Sequence, residues 1–230
     1  MILREAERRL KELQSEYYAA PRKNDAVILE YLRTLAQARK LATDAAPGPL
    51  QSPRVHLGCG DHRLEGWINV DLAPSVAVDA VVDCARDLPF AAGTVAFLHC
   101  EDLLEHVERD KGITMLRECF RVLRPGGVVR ILTPDLRQLV QKVYLEGAPL
   151  HLDWCTAQLS ARGPCQSLNM HLRMNGEHRF VYDEQELRKT LEEIGFRVVR
   201  VGWNESRHLE LRYLDLRDFG LNLFLEATRP

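Results

Sequence analysis

The sequence predicts an α/β fold on a mostly parallel sheet, and three observations carry that expectation. A short apolar strand around Val55 and Leu57 runs straight into a Gly58-Cys59-Gly60 turn. Further apolar stretches of strand length recur at 67–70, 79–82, 95–100 and 128–133. An amphipathic helix, Ile113 to Leu123, separates the last two, with Met115, Leu116, Cys119 and Phe120 on one stripe. Strands alternating with helices imply a parallel sheet joined by right-handed crossovers. At 230 residues and 46% hydrophobic, the chain is large enough to bury one such core.

The elements follow in order. Residues 2 to about 42 read as two helices broken near Ala20-Pro21, with apolar residues at Leu3, Ala6, Leu10, Leu13 and Tyr17, then Val27, Tyr31, Leu35 and Ala38. Arg4, Arg8, Arg9 and Lys11 interleave with Glu5, Glu7 and Glu12, a solvated face with i,i+4 ion pairs rather than a nucleic-acid stripe. Residues 1–46 thus read as a helical cap or interface segment, the route to a possible homodimer. Ala45 to Pro49 is a linker, and 50–230 is the main domain. Arg124-Pro125-Gly126-Gly127 stops the helix before the fifth strand. The insert 134–182 holds one helix, Leu136 to Leu145, and then an irregular stretch. Asp183 starts a helix, with Glu186 three residues on and Leu187, Leu191 and Ile194 on its apolar face. Phe196 to Trp203 and Leu221 to Thr228 are the last strands, flanking a polar loop.

The segment Arg54 to Asp71 carries the functional signal. Glycines where a strand ends let backbone approach a ligand without a Cβ clash. The acid closing the second strand, Asp71, suits the two hydroxyls of a ribose, though an Asx turn is the plainer use of it. A pyrophosphate-binding turn reads G-x-G-x-x-G. Here the third glycine is absent and Asp61 stands where anionic phosphate would lie, which points to a nucleoside without phosphate.

In order along the chain stand Leu57 to Gly60, Gly66 to Asp71, Asp83 with Leu88 to Phe90, Leu104 to His106, Val122 to Gly127, Pro134 to Leu136, and Glu177 to Asp183. This series resembles the class I S-adenosylmethionine-dependent methyltransferases over residues 54–203. The resemblance implies a Rossmann-like sheet of seven strands, the last antiparallel, with helices on both faces. It implies S-adenosylmethionine as cofactor, S-adenosylhomocysteine as product, and a small-molecule, glycan or natural-product acceptor. Carried onto this chain, Gly58, Cys59 and Gly60 would face the methionyl part, Asp71 the ribose, and Leu72 the adenine. Asp83, Cys84 and Ala85 would lie by the adenine amino group, and Cys100 and Glu101 near the sulfonium. A solvated strand end is the alternative for Asp83.

Methyl transfer needs alignment, and a base only when the acceptor holds its proton. His106 and His178 are the candidate catalytic residues, with Glu101, Asp102 and Asp135 also eligible. Tyr17, Tyr18, Asp135 and Tyr182 are candidates for the acceptor side. For His106 helix packing, for Asp135 an N-cap and for Tyr182 the core are the structural alternatives. His151, Asp153, His171 and His178 fit no ligand spacing, and the six cysteines form no CxxC, so no metal is expected. A net charge of −2 gives no pull toward nucleic acid. No apolar run reaches membrane length, and the charged start lacks a secretory core, so a cytoplasmic protein is expected. A cofactor-binding regulatory module and a nicotinamide-dependent oxidoreductase are the alternative functions.

Overall fold

The computed structural model describes residues 4–6, 8, 9, 12, 13, 30, 34, 52–147, 163–216 and 220–230. Seven strands form one sheet: β1 (Arg54–Leu57), β2 (Ile68–Asp71), β3 (Ala80–Val81), β4 (Val95–Glu101), β5 (Leu123–Pro134), β6 (Arg197–Arg200) and β7 (Asn222–Thr228). Their order is β3-β2-β1-β4-β5-β7-β6. β7 runs antiparallel to both neighbours and every other pair is parallel. The expected fold class is borne out. The order reverses between β1 and β4, and ligands of open parallel sheets collect at the carboxyl ends of strands flanking such a switch.

One face of the sheet is covered as the periodicity predicts. Helix α1 (Arg109–Val122) buries Met115, Leu116 and Cys119. Helices α2 (Leu136–Gln138) and α3 (Pro164–Arg173) belong to the insert, and α4 (Glu184–Ile194) buries Leu187 and Leu191. Both apolar stripes of α1 and α4 join Leu57, Leu98, Cys100, Val129, Ile131 and Leu225 of the sheet in one core. The signals for α4 work as read. Asp183 accepts from the Glu186 amide at 2.8 Å, and Gly195 closes the helix at φ 117°. Within β5, Leu123 pairs with Val95 and Val128 with Phe97, so Arg124 to Gly127 forms an irregularity inside the strand rather than a break.

Three expectations need correction. The strands do not alternate with helices before β4: segments 58–67, 72–79 and 82–94 contain none. The passage from Leu57 to Ile68 is shorter than the dozen or so residues a helical crossover requires. The insert contains α3, which begins at Pro164 after Gly163. Both residues read as loop formers, but proline at a first helical position is preorganised for the helix. α3 brings Leu168 and Leu172 against Leu139, Val143 and Leu221. The helix expected over 136–145 turns from α2 into a π-helical stretch, Leu139–Leu145.

Among the described residues after β1 the other face is covered by loops, and a polar row runs beneath them. Asn69 pairs with His56, His56 with His99, His99 with Arg130, and Arg130 with Glu226. All five are at most 3% exposed. Asn69 accepts from the Leu64 amide at 2.8 Å and donates to the Leu64 and Trp67 carbonyls at 3.1 and 2.9 Å. Arg130 donates to Asp215 at 2.7 Å, to Glu226 at 2.9 Å, and to the Glu205 and Gly202 carbonyls at 2.8 and 3.0 Å. Burial alone would lower the pKa of Arg130; the two carboxylates more than offset that and hold it raised. The row therefore satisfies loop backbone at Leu64, Trp67, Gly202 and Glu205.

Near the N-terminus, residues 4–6, 8, 9, 12, 13, 30 and 34 are helical, Ala6 and Leu13 are buried, and Arg9 pairs with Glu30 at 2.8 Å. Arg8 pairs with Glu5 and Glu12, as the charge pattern predicts. No helix among the described residues is long and apolar enough to cross a membrane.

Candidate functional site

A cavity of about 550 Å³ opens at the carboxyl ends of β1, β2 and β4. Of the residues the sequence selects, Gly58, Cys59, Gly60, Asp71, Glu101, Asp102 and His106 line it. Gly58 and Gly60 both take positive φ, at 65° and 52°. A Cβ on Gly58 would stand 2.9 Å from the Leu103 side chain, so the turn needs glycine for space as well as conformation. Asp71 ties this turn to the end of β2. It accepts from the Gly60 amide at 2.8 Å and, as an Asx turn, from the Ala73 amide at 2.9 Å. A carboxylate offers about four lone-pair sites, so these two bonds leave room for two more.

Glu101 closes the far wall. Its carboxylate accepts from the Leu216 amide at 2.9 and 3.1 Å and lies 3.4 Å from His99. Asp102 follows at φ 47°, and its amide donates to the Leu132 carbonyl at 3.1 Å. Burial pushes the Cys59 thiol up to about 11, with the charge of Asp71 adding. It is therefore a neutral wall residue and not a nucleophile.

At the edge of the cavity sits a group of imidazoles and one acid. His106 packs edge-on against His178, with ring centroids 4.9 Å apart. His178 is buried and its Nδ1 stands 2.6 Å from the His171 carbonyl oxygen. Burial, then the neighbouring His106, lowers its pKa, and burial takes His171 down to about 4. Glu105 is 1% exposed and accepts from Thr133 Oγ1 at 3.1 Å. Burial raises its pKa well above the usual range, with Asp102 adding.

The remaining selected residues lie elsewhere. Leu72 is 67% exposed beyond β2. Asp83 accepts from the Ala85 amide at 3.0 Å and pairs with Arg86 at 3.1 Å, the behaviour of a strand-end Asx turn. Cys84 and Cys100, expected on the cofactor wall, belong to the apolar core instead: strand alternation turns Cys100 of β4 toward α1, and Cys84 joins the same core from the turn after β3. Asp135, expected on the acceptor side, is 2% exposed and caps α2, accepting from the Arg137 amide at 3.0 Å. Tyr182 is a core residue. It is 1% exposed, it stacks edge-on with Phe180, and its hydroxyl has no hydrogen-bond partner among the described residues. Burial raises its pKa to about 12. Tyr17 and Tyr18, like His151 and Asp153, lie outside the described residues.

The cavity also takes His56, Asp61, His62, Leu103 and Leu216, which the sequence reading did not select as site residues, Asp61 having served there only to exclude a phosphate. Asp61 and His62 directly follow the glycine turn and were within its reach. His56 sits at a position that alternation assigns to the opposite face, and Leu216 arrives from the loop between β6 and β7.

Comparison with known proteins gives the family and the fold. The profile of a family described as a methyltransferase domain matches residues 28–201. No curated protein sequence matches. Among solved structures, a SAM-dependent methyltransferase from Archaeoglobus fulgidus superposes with a TM-score of 0.50 at 15% identity, covering 84% of this chain and 92% of its own. A SAM-dependent, possible histamine N-methyltransferase from Thermotoga maritima gives 0.49 at 14%, covering 95% and 100%. The chain belongs to the methyltransferase-domain family, and its fold is that of the class I S-adenosylmethionine-dependent methyltransferases.

Proposed function

We propose that the cavity at the β1–β4 switch holds S-adenosylmethionine and that the enzyme methylates a small-molecule, glycan or natural-product acceptor entering on the His106 side. The observation that carries the reading is the meeting of the Gly58-Cys59-Gly60 turn with Asp71 across one cavity. S-adenosylmethionine supplies a methyl group already activated by its sulfonium. The glycine turn gives the ligand close access to backbone, and the lone pairs that Asp71 has left accept the ribose hydroxyls. Leu72, Asp83 and Ala85, at the next strand ends, meet the adenine. Glu101, fixed by the Leu216 amide, borders the sulfonium end. His106 and, behind it, His178 handle the acceptor's nucleophilic atom and its proton. Residues 1–46 close over the acceptor or pair two copies of the chain, and the reaction takes place in the cytoplasm.

Asp71→Ala tests the central assignment. Loss of a hydrogen-bonded charge should weaken S-adenosylhomocysteine binding by about 2 kcal/mol, roughly 30-fold. Isothermal calorimetry with NADH as control reads it. Unchanged affinity removes Asp71 from the ribose site, and NADH binding in place of the sulfur nucleoside overturns the cofactor.

A further inference from the structure

Three metal-ligating side chains converge at the acceptor edge of the cavity from two distant segments. The ligand atoms of Glu105, His106 and His178 all lie within 4.8 Å of one another. Glu105 and His106 sit in the 3-10 turn Leu104–His106 after β4, and His178 precedes α4. Backbone builds the meeting, since the Arg179 and Phe180 amides both donate to the Glu105 carbonyl, at 2.7 and 3.2 Å. Ligands of a tetrahedral cation stand roughly 3.3 Å apart, so side-chain shifts of about an ångström close the site.

Two further features point to a cation. His178 Nδ1 donates to the His171 carbonyl at 2.6 Å, which fixes the tautomer and leaves the Nε2 lone pair for a ligand bond. Metal-bound histidines are oriented in this way, and metal-bound carboxylates are held as Thr133 Oγ1 holds Glu105. Glu105 is also buried, with the two imidazoles as its ionisable neighbours in the cluster. A buried carboxylate is costly without a cation to match it.

We infer that Glu105, His106 and His178 bind one divalent transition-metal cation, open toward the cavity at His106, that receives a hydroxyl of the acceptor. Two imidazoles and one carboxylate suit zinc, cobalt or manganese better than magnesium, which prefers oxygen ligands. The inference rests on the methyltransferase reading and specifies O-methylation. The acceptor hydroxyl, polarised by the cation, gives its proton to water. Its oxygen forms the C–O bond as the carbon–sulfur bond breaks and the electron pair returns to sulfur. With the cation bound, His106 and His178 serve the acceptor as metal ligands and not as its base, so no protein base is needed.

The test uses full-length protein stripped with a chelator and titrated separately with Co²⁺, Mn²⁺, Zn²⁺ and Mg²⁺. S-adenosylhomocysteine affinity is measured on the same samples. Co²⁺ should bind at one equivalent with visible d–d absorption, a readout independent of turnover. His178→Asn and Glu105→Gln should each weaken that binding at least about tenfold while the nucleoside still binds. Circular dichroism checks that each variant folds, and if one does not, the other decides. No saturable uptake, or uptake unchanged in both variants, overturns the site. Nucleoside binding without metal uptake sinks the metal and leaves the methyltransferase standing; metal uptake without nucleoside binding does the reverse.

Discussion

One face of the sheet is lined by Leu57, Leu98, Cys100, Val129, Ile131 and Leu225 and covered by helices. The other is lined by the row Asn69, His56, His99, Arg130 and Glu226 and, among the described residues after β1, covered by loops. A helix satisfies its own backbone and asks of the sheet only apolar area, about 1.5–3 kcal/mol for each large side chain buried. A loop brings unpaired amides and carbonyls, which must find partners or cost stability. The second face supplies those partners from the sheet itself. The cavity at the β1–β4 switch belongs to that arrangement, because Gly60 is carried by the segment Asn69 holds, and Leu216 by the loop that Arg130 and Asp215 hold.

The largest effect that would test the contrast lies at Arg130. Arg130→Met leaves Asp215 and Glu226 buried without a cation, which should cost about 3–5 kcal/mol in chemical denaturation. Adding Asp215→Asn and Glu226→Gln to that variant should recover part of the loss, since methionine and neutral amides no longer strand a charge. A loss near the 0–1 kcal/mol of a surface pair would mean that the loop does not depend on this network.

A matched pair of substitutions sharpens the comparison. Leu116→Ala, in the helix-covered core, should destabilise by about 2–5 kcal/mol and leave S-adenosylhomocysteine affinity unchanged. Asn69→Ala removes bonds to Leu64 and Trp67 and should cost less stability, about 1–3 kcal/mol, yet weaken the nucleoside. Calorimetry on both variants reads the split. Equal loss of affinity in the two would show that the site draws on both faces alike.

The same contrast explains what the sequence disclosed. Met115, Leu116 and Cys119, or Leu187 and Leu191, recur at helical spacing, so their burial is written locally. His56, His99 and Arg130 alternate with apolar residues just as water-facing positions do, and alternation alone cannot tell a solvated face from one sealed by loops. Their partners lie far along the chain, as Asp215 does from Arg130. The glycine turn, Asp71, Glu101 and His106 were legible because a strand end followed by special residues is a local pattern. Asp135 carried the same kind of signal and caps α2, and Asp83 forms a turn at the strand end proposed for the adenine, since a strand-end aspartate serves a cap, a turn or a ligand equally well. His106 and His178 were selected, but Glu105 and its approach to His178 escaped, because contact across the insert has no spacing to detect.

The smallest effect probes the helix-covered face, where fit rather than hydrogen bonding decides. Gly112 sits inside α1, where glycine costs about 1 kcal/mol relative to alanine. A Cβ there would stand 3.0 Å from the Tyr182 hydroxyl and 3.3 Å from Leu104 Cδ1. That hydroxyl makes no hydrogen bond among the described residues, so it holds its place by packing alone. Gly112→Ala should therefore destabilise slightly, the overpacking exceeding the gain in helix propensity. In a Tyr182→Phe background the obstructing oxygen is gone, and the same substitution should stabilise by up to about 1 kcal/mol. Urea denaturation of the four proteins in this cycle isolates the pair term. If the sign does not change between backgrounds, contact with Leu104 or with α1's own neighbours sets the requirement for glycine, and Tyr182 does not.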